Sequence, residues 1–250
     1  MYWDQLTSPQ LDQLDRNIPV ILPISATEQH GPHLPLATDR LIGEHFCRVL
    51  HQKMPQQILI LPSMGIACSE HHMDFAGSLT LRHETTMMQM EDVLNSVIHH
   101  GFKNILIFNS HGGNQGITLV MLEKMGLRNP EVKFALCTWW KLALEALRSI
   151  STGGFGSTGH AGEFETSLML LIAPELVHPD QFKPGENQKT YEWADNDLLN
   201  GAPAAFYQTM KQRTTNGVFG DPTLATKEKG EAITKVVVDA LEKLVRDLNS

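Results

Sequence analysis

The run IPVILPISATEQHGPHLPLATDRL spans residues 18–41. Its first seven residues are apolar and β-branched, and breakers follow at once, which predicts a buried strand over 18–24. From residue 38 the spacing turns helical. Leu41, Ile42, His45, Val49 and Leu50 share a face, and Thr38 or Asp39 stands where an N-cap belongs, so a helix is expected over 38–54. The Pro- and Gly-broken loop between them carries Glu28 and His30, and Asp39 opens the helix. Glu28 and His30 are two apart, so in an extended segment both point to the same side. Asp39 has two oxygens and can bridge two ions.

Working outward, the strand–helix alternation recurs. Strands are expected over 58–61, 78–81, 104–108 and 132–138, and helices over 84–100, 116–125, 140–150, 164–171 and 228–248. In the first of these helices Met87, Met90, Val93, Leu94, Val97 and Ile98 point inward, the methionines as core filler. Residues 176–225 are rich in Pro, Gly and Asn and read as irregular surface excursions suited to a subunit contact. Apolar strands between amphipathic helices predict an α/β fold with a mostly parallel sheet covered on both faces. The chain has 250 residues and neither a linker nor an internal repeat, so one domain over 1–250 is expected.

The formal charge is −8. That excludes a general nucleic-acid binder, which would present a basic face. Cys47, Cys68 and Cys137 are isolated and odd in number, as expected of reduced, buried thiols. The opening MYWDQLTSPQ lacks the basic and apolar regions of a signal peptide, and no apolar run reaches the roughly 20 residues that cross a bilayer. A cytoplasmic protein with no membrane partner is the expectation.

In open α/β sheets, sites form beyond the carboxyl ends of the strands. Three polar clusters sit there or nearby: Glu28 and His30 with Asp39; His111 in NSHGGN (residues 109–114); and His160, Glu163 and Glu165 in GHAGEFETS (residues 159–167). Carboxylate oxygen and imidazole nitrogen are metal ligands, and the absence of thiolate favours a catalytic over a structural site. A single Asp or His in a loop is ordinarily a cap or a solvated group. Accordingly His33, His45, His51, His72, His99 and His100 are read as ordinary histidines, whereas His71 is left open as a pocket residue.

The stretches TEQHGPHLPLATD, NSHGGN, GHAGEFETS and GVFGDPTLATKEKG (residues 217–230) resemble the creatininase family of metal-dependent amidohydrolases. SEHHMDFAGSLTL (residues 69–81) is similar to that family's Ser/His/Phe/Gly segment, and all the motifs fall in the family's order. The resemblance implies a three-layer αβα sandwich, a homo-oligomer, often a hexamer, and two divalent ions, typically zinc with manganese or iron at one position. Carried over by motif, Glu28, Asp39 and His111 hold one ion, and His30 and Asp39 hold the other. The family places Tyr and Glu after the loop histidine, and that Glu ligates the second ion. Here Gly112 and Gly113 stand instead, so Glu163 or Glu165 has to supply the ligand. Glu165 is favoured, because it shares a helical face with Leu168, Met169 and Ile172. The family's Trp over creatinine is also missing, which argues against creatinine as substrate. Phe155 is a looser substitute, and Trp139 and Trp140 are candidates for the pocket wall.

The implied reaction is hydrolysis of a C–N bond of a small amide or cyclic amide by a hydroxide held between the ions. His160 is the expected proton shuttle, and the Gly112–Gly113 N–H groups are expected to meet a substrate oxygen. Within the family, a formamide deformylase and an amidase of a peptide-like cofactor precursor are alternatives. Outside it stand a two-metal phosphoesterase, which would want cations beside the ligands, and a non-catalytic metal-dependent binding protein.

Overall fold

Strand β1 (Val20–Ile24) is buried at every position, as a strand covered on both faces must be. The computed structural model describes residues 1–250. With β2 (Leu59–Ile60), β3 (Asn104–Asn109) and β4 (Lys133–Thr138), β1 forms a sheet of order β2-β1-β3-β4, in which every pairing is parallel. Nine helices accompany it: α1 (Ser8–Asp12), α2 (Thr38–Lys53), α3 (His83–His99), α4 (Gln115–Arg128), α5 (Trp139–Leu142), α6 (Leu144–Arg148), α7 (Glu163–Ile172), α8 (Met210–Arg213) and α9 (Lys227–Leu248).

The period-two alternation of strand side chains sorts the core into two halves. Ile21, Ile60, Leu106 and Phe108 face Phe46 of α2, Phe164 and Leu168 of α7, and Val237 and Leu241 of α9. Val20, Leu22, Leu59, Ile105 and Ile107 face Met90, Leu94 and Val97 of α3 and Met121 and Met125 of α4. This is the expected αβα sandwich, and each fully buried Leu, Ile or Phe contributes roughly 1.5–3 kcal/mol relative to exposure. No helix is long and apolar enough to cross a membrane, and all three cysteines are free and buried.

Three details differ from the sequence reading. Residues 78–81 are not a sheet strand: Leu79 makes one isolated bridge to Thr27, while Ser78 Oγ accepts the Gln29 N–H and Thr80 Oγ1 accepts the Ser69 N–H. The segment's polar side chains pin the site loops instead. The helix expected over 140–150 is broken at Ala143 into α5 and α6. Trp139 and Trp140, both buried, lie with rings 85° apart, so neighbouring indoles serve different surroundings. Helix α1 was not anticipated, although its signal is present: Pro at its start, and Thr7 N–H donating to Gln10 Oε1.

The strand order positions the site. The chain leaves β1 on one side for β2 and crosses to the other side for β3, so the crevice between them is the switch point where ligands bind. Register pairs Ile24 with Asn109, so β1 and β3 end at the same level. The loops carrying Glu28 and His111 therefore start side by side.

Candidate active site

The loop after β1 folds back on itself, with Glu28 N–H donating to the Leu36 carbonyl. His30 Nδ1 lies 3.1 Å from the Glu28 carbonyl, which fixes it as the N–H-bearing nitrogen and leaves Nε2 facing inward. His111 is held the same way: Nε2 donates to the Cys68 carbonyl at 2.9 Å, and Asn109 brackets its backbone with Nδ2 to His111 O and Oδ1 to His111 N. Histidines anchored at one nitrogen present the other as a fixed ligand. Asp39, in the first turn of α2, is anchored through its carbonyl by Ser110 Oγ at 2.9 Å.

The side chains converge. His111 Nδ1 lies 3.3 Å from Glu28 Oε1 and 2.9 Å from Asp39 Oδ2. His30 Nε2 lies 3.2 Å from Asp39 Oδ1 and 3.8 Å from Glu165 Oε2. The two oxygens of Asp39 thus turn to two different groups, Glu28 with His111 and His30 with Glu165. All five residues are buried. Asp39 Oδ2 accepts no hydrogen bond; the nearby His111 nitrogen is close without being aligned. Three buried carboxylates without a Lys or Arg among them form an oxygen-and-nitrogen donor set that fits divalent ions.

The electrostatics reflect this crowding. Burial alone would lower the pKa of His30, but Asp39, Glu165 and Glu28 override it and hold it at about 9. Burial is likewise overridden at His111, whose pKa the Glu28 and Asp39 carboxylates push well above its ordinary value. Burial would raise Asp39, yet His30 and His111 hold it below the carboxylate range. Glu165 is pushed up to about 7, by burial first, with His30 opposing and Asp39 adding to the rise.

The two glutamates of α7 point to different places. Glu163 turns away from the cluster, to Ser151 Oγ, Thr152 N–H and Lys229 Nζ. Glu165 reaches the cluster and also accepts the N–H of Ala161 at 2.6 Å. Ala161 has φ of 55°, a strained left-handed conformation for a non-glycine residue, which aims its N–H at the carboxylate.

His160 stands over the cluster, with Nε2 donating to the Gln29 carbonyl at 2.8 Å and Nδ1 3.7 Å from Glu28 Oε1. Burial, then the nearby His30 charge, push its pKa well below 6.5, so the ring is neutral with Nδ1 free to accept. Gly112 and Gly113 line the same cavity, of about 290 Å³. A Cβ at Gly113 would come within 2.4 Å of His111 Nε2 and 2.8 Å of His71 Cε1, so no side chain fits there.

Other readings need correction. His72, taken as ordinary, is buried with Nε2 3.4 Å from Glu28 Oε1, and its Nδ1 meets Gln29 Nε2 at 2.9 Å. His71 lines the cavity, and burial followed by His111 lowers its pKa to about 4. Phe155 is 61% exposed and is not on the cavity wall, because its glycine-flanked loop points outward. Of the two tryptophans, Trp140 lines the cavity and Trp139 packs on Phe46. His33 and His45 are core histidines, bonded through Nε2 to Thr166 and Thr234. Ser69, which donates to Glu28 Oε2 at 2.7 Å, and the wall residues Asn196, Met210 and Arg213 were missed. Ser69 and His72 had a signal in the SEHH motif; the wall residues come from the irregular segment and had none.

A parallel αβα sheet with a buried carboxylate–imidazole cluster at its switch point defines a metal-binding hydrolase. The sequence matches the creatininase (creatinine amidohydrolase) family over residues 4–245, and the chain belongs to that family, as a creatininase-family amidohydrolase. It is 28% identical over 244 residues to a mycofactocin precursor peptide peptidase of Mycobacterium tuberculosis (strain CDC 1551 / Oshkosh), covering 94% of this chain and 88% of that protein. It is 24% identical over 243 residues to a creatinine amidohydrolase of Pseudomonas putida, covering 91% and 88%. Among solved structures it is similar to a manganese creatininase, with a TM-score of 0.81, 21% identity and 98% and 97% of the two chains covered. A zinc–zinc form of a creatininase variant gives 0.80, 22%, 98% and 97%. At these identities the solved structures show the shared fold.

Proposed function

We propose that the protein hydrolyses a C–N bond of a small-molecule amide with two divalent ions, zinc or manganese, at the cluster. Glu28, Asp39 and His111 would hold one ion, His30, Asp39 and Glu165 the other. The split orientation of the Asp39 oxygens, one of them without a hydrogen bond, is the observation that carries this reading. When bound, the ions supply Lewis acidity, which polarises a carbonyl and acidifies water.

The remaining work falls to the chain's own groups. His160, its tautomer set by the Gln29 carbonyl, accepts a proton at Nδ1 and passes it to the departing nitrogen. The Gly112–Gly113 turn lies open to a substrate oxygen. Trp140, at the cavity wall, excludes water. The absence of an aromatic lid at Phe155 weighs against creatinine itself. The peptide-type amide named for the mycobacterial relative is the reading to set beside a small cyclic amide.

Chelator-stripped protein is expected to hydrolyse none of a panel of amides, and to recover when about two equivalents of zinc or manganese per chain are restored. Metal content by mass spectrometry and product release by chromatography test this together. Full activity of His160→Ala would remove the proton-transfer role. We also propose a homo-oligomer, a hexamer by family resemblance. Tyr191, Trp193 and Phe206 form an exposed aromatic patch of the kind that marks subunit contacts, and light scattering that returned a monomer would exclude the oligomer.

A further inference from the structure

Arg213 is the one Lys or Arg side chain on the wall of the site cavity. It ends α8, half-buried, with its guanidinium carbon 4.0 Å from the ring centroid of Phe219. Nη2 donates to Asn196 Oδ1 at 2.9 Å. That is the single hydrogen bond its side chain makes, from a group with five donors. Arg16, Arg40, Arg128, Arg148 and Arg246 pair with Asp or Glu; Arg213, like the exposed Arg48 and Arg82, does not, and of these three it alone lines the cavity. Asp195 acts on it without an ion pair, and burial pushes its pKa down from the usual arginine range. Asp197, a carboxylate on the same wall, is already committed to the N–H groups of Gly156, Leu199 and Asn200 at 2.7, 2.9 and 2.7 Å.

The guanidinium is therefore held flat by an aromatic face and one amide, with most of its fork unused and part of its hydration removed. A planar fork in that state matches a carboxylate in two-point contact. Trp140, Leu198 and Met210 supply apolar wall to the same cavity, suited to the carbon chain between two polar ends of a ligand.

We infer that Arg213 binds a substrate carboxylate, so that the substrate class is an amide bearing a free carboxylate, as in an N-acyl amino acid or a peptide end. This rests on the amidohydrolase reading above. Arg213 is a specificity residue; the bond-breaking groups lie at the cluster.

The test uses the metal-loaded protein and a length series: N-acetylglycine, N-acetyl-β-alanine and N-acetyl-γ-aminobutyrate, each beside its neutral carboxamide. Binding is measured by calorimetry and hydrolysis by product release. The wild type is expected to bind at least one carboxylate about 10-fold or more tightly than its carboxamide, as a charge-assisted two-point contact provides. In Arg213→Gln that ratio should fall to about 2 or less, with Arg213→Lys between. A wild type without the preference overturns the inference, and so does a preference that persists in Arg213→Gln, which would place the carboxylate on the metals. If Arg213→Gln does not fold, the ratio in Arg213→Lys decides, since loss of the fork must lower it. Discrimination without hydrolysis of any member sinks the amidohydrolase reading and leaves the carboxylate site standing.

Discussion

The first turn of α7 holds two buried carboxylates, and their surroundings are opposite. At Glu163, burial would raise the pKa, but Lys229, the Thr152 N–H and Ser151 override it and keep the group below the ordinary Glu range. At Glu165 no Lys or Arg intervenes; burial, opposed by His30 and helped by Asp39, pushes it to about 7. Two residues apart on one helix, one carboxylate is neutralised by the fold and the other is left short of positive charge. The first arrangement serves stability. The second leaves a demand that the cation proposed above would meet, which would separate scaffold from site.

Exchanging partners on either side should break the contrast. The largest effect is expected from Glu165→Gln: amide hydrolysis falls at least about 1,000-fold and bound metal drops, yet the metal-free chain melts no lower, because a repelled carboxylate has been removed. Parallel assays of activity, metal content and thermal denaturation check this, and a large loss of metal-free stability would contradict it. Next comes Lys229→Met, which leaves Glu163 buried and unpaired. Breaking such a pair costs about 3 kcal/mol or more, equivalent to roughly 6–12 °C in melting temperature for a chain of this size, with activity per folded molecule retained.

The smallest effect sharpens the comparison through pH. The Glu163 pKa is lower in the folded than in the unfolded state. Between those values the unfolded chain binds more protons, so stability rises with pH there. The contribution is complete above the unfolded value of about 4.5 and is lost as pH falls through the folded one. Denaturant titrations should show the gap between wild type and Glu163→Gln closing as pH falls below 4.5. A gap unchanged to pH 3 would show that Glu163 acts through packing alone.

Much of this was legible in the sequence because it was local. Glu28, His30 and His111 follow apolar runs that have to be strands, and Asp39 opens a helix whose apolar face is regular. Helical phase favours Glu165 over Glu163 without separating them by burial, since both carboxylates are buried. His72 was not legible, since a short 3-10 turn offers no period from which to place its ring against Glu28. Residues 78–81 alternate like a strand, yet their hydroxyls tie down loops, because edge pairing competes with side-chain hydrogen bonds that only the assembled site provides. Arg213 and Asn196 lie in a segment without periodicity, and their approach to the cluster depends on the tertiary fold as a whole.

The floor of the cavity comes from strand ends and helix starts, while the wall at Asn196, Leu198, Met210 and Arg213 comes from the irregular stretch before α9. The two are joined by packing and not by a shared secondary element. Inheritance can therefore act on them independently: replacements in the stretch change which molecule is admitted and leave the reacting groups in place.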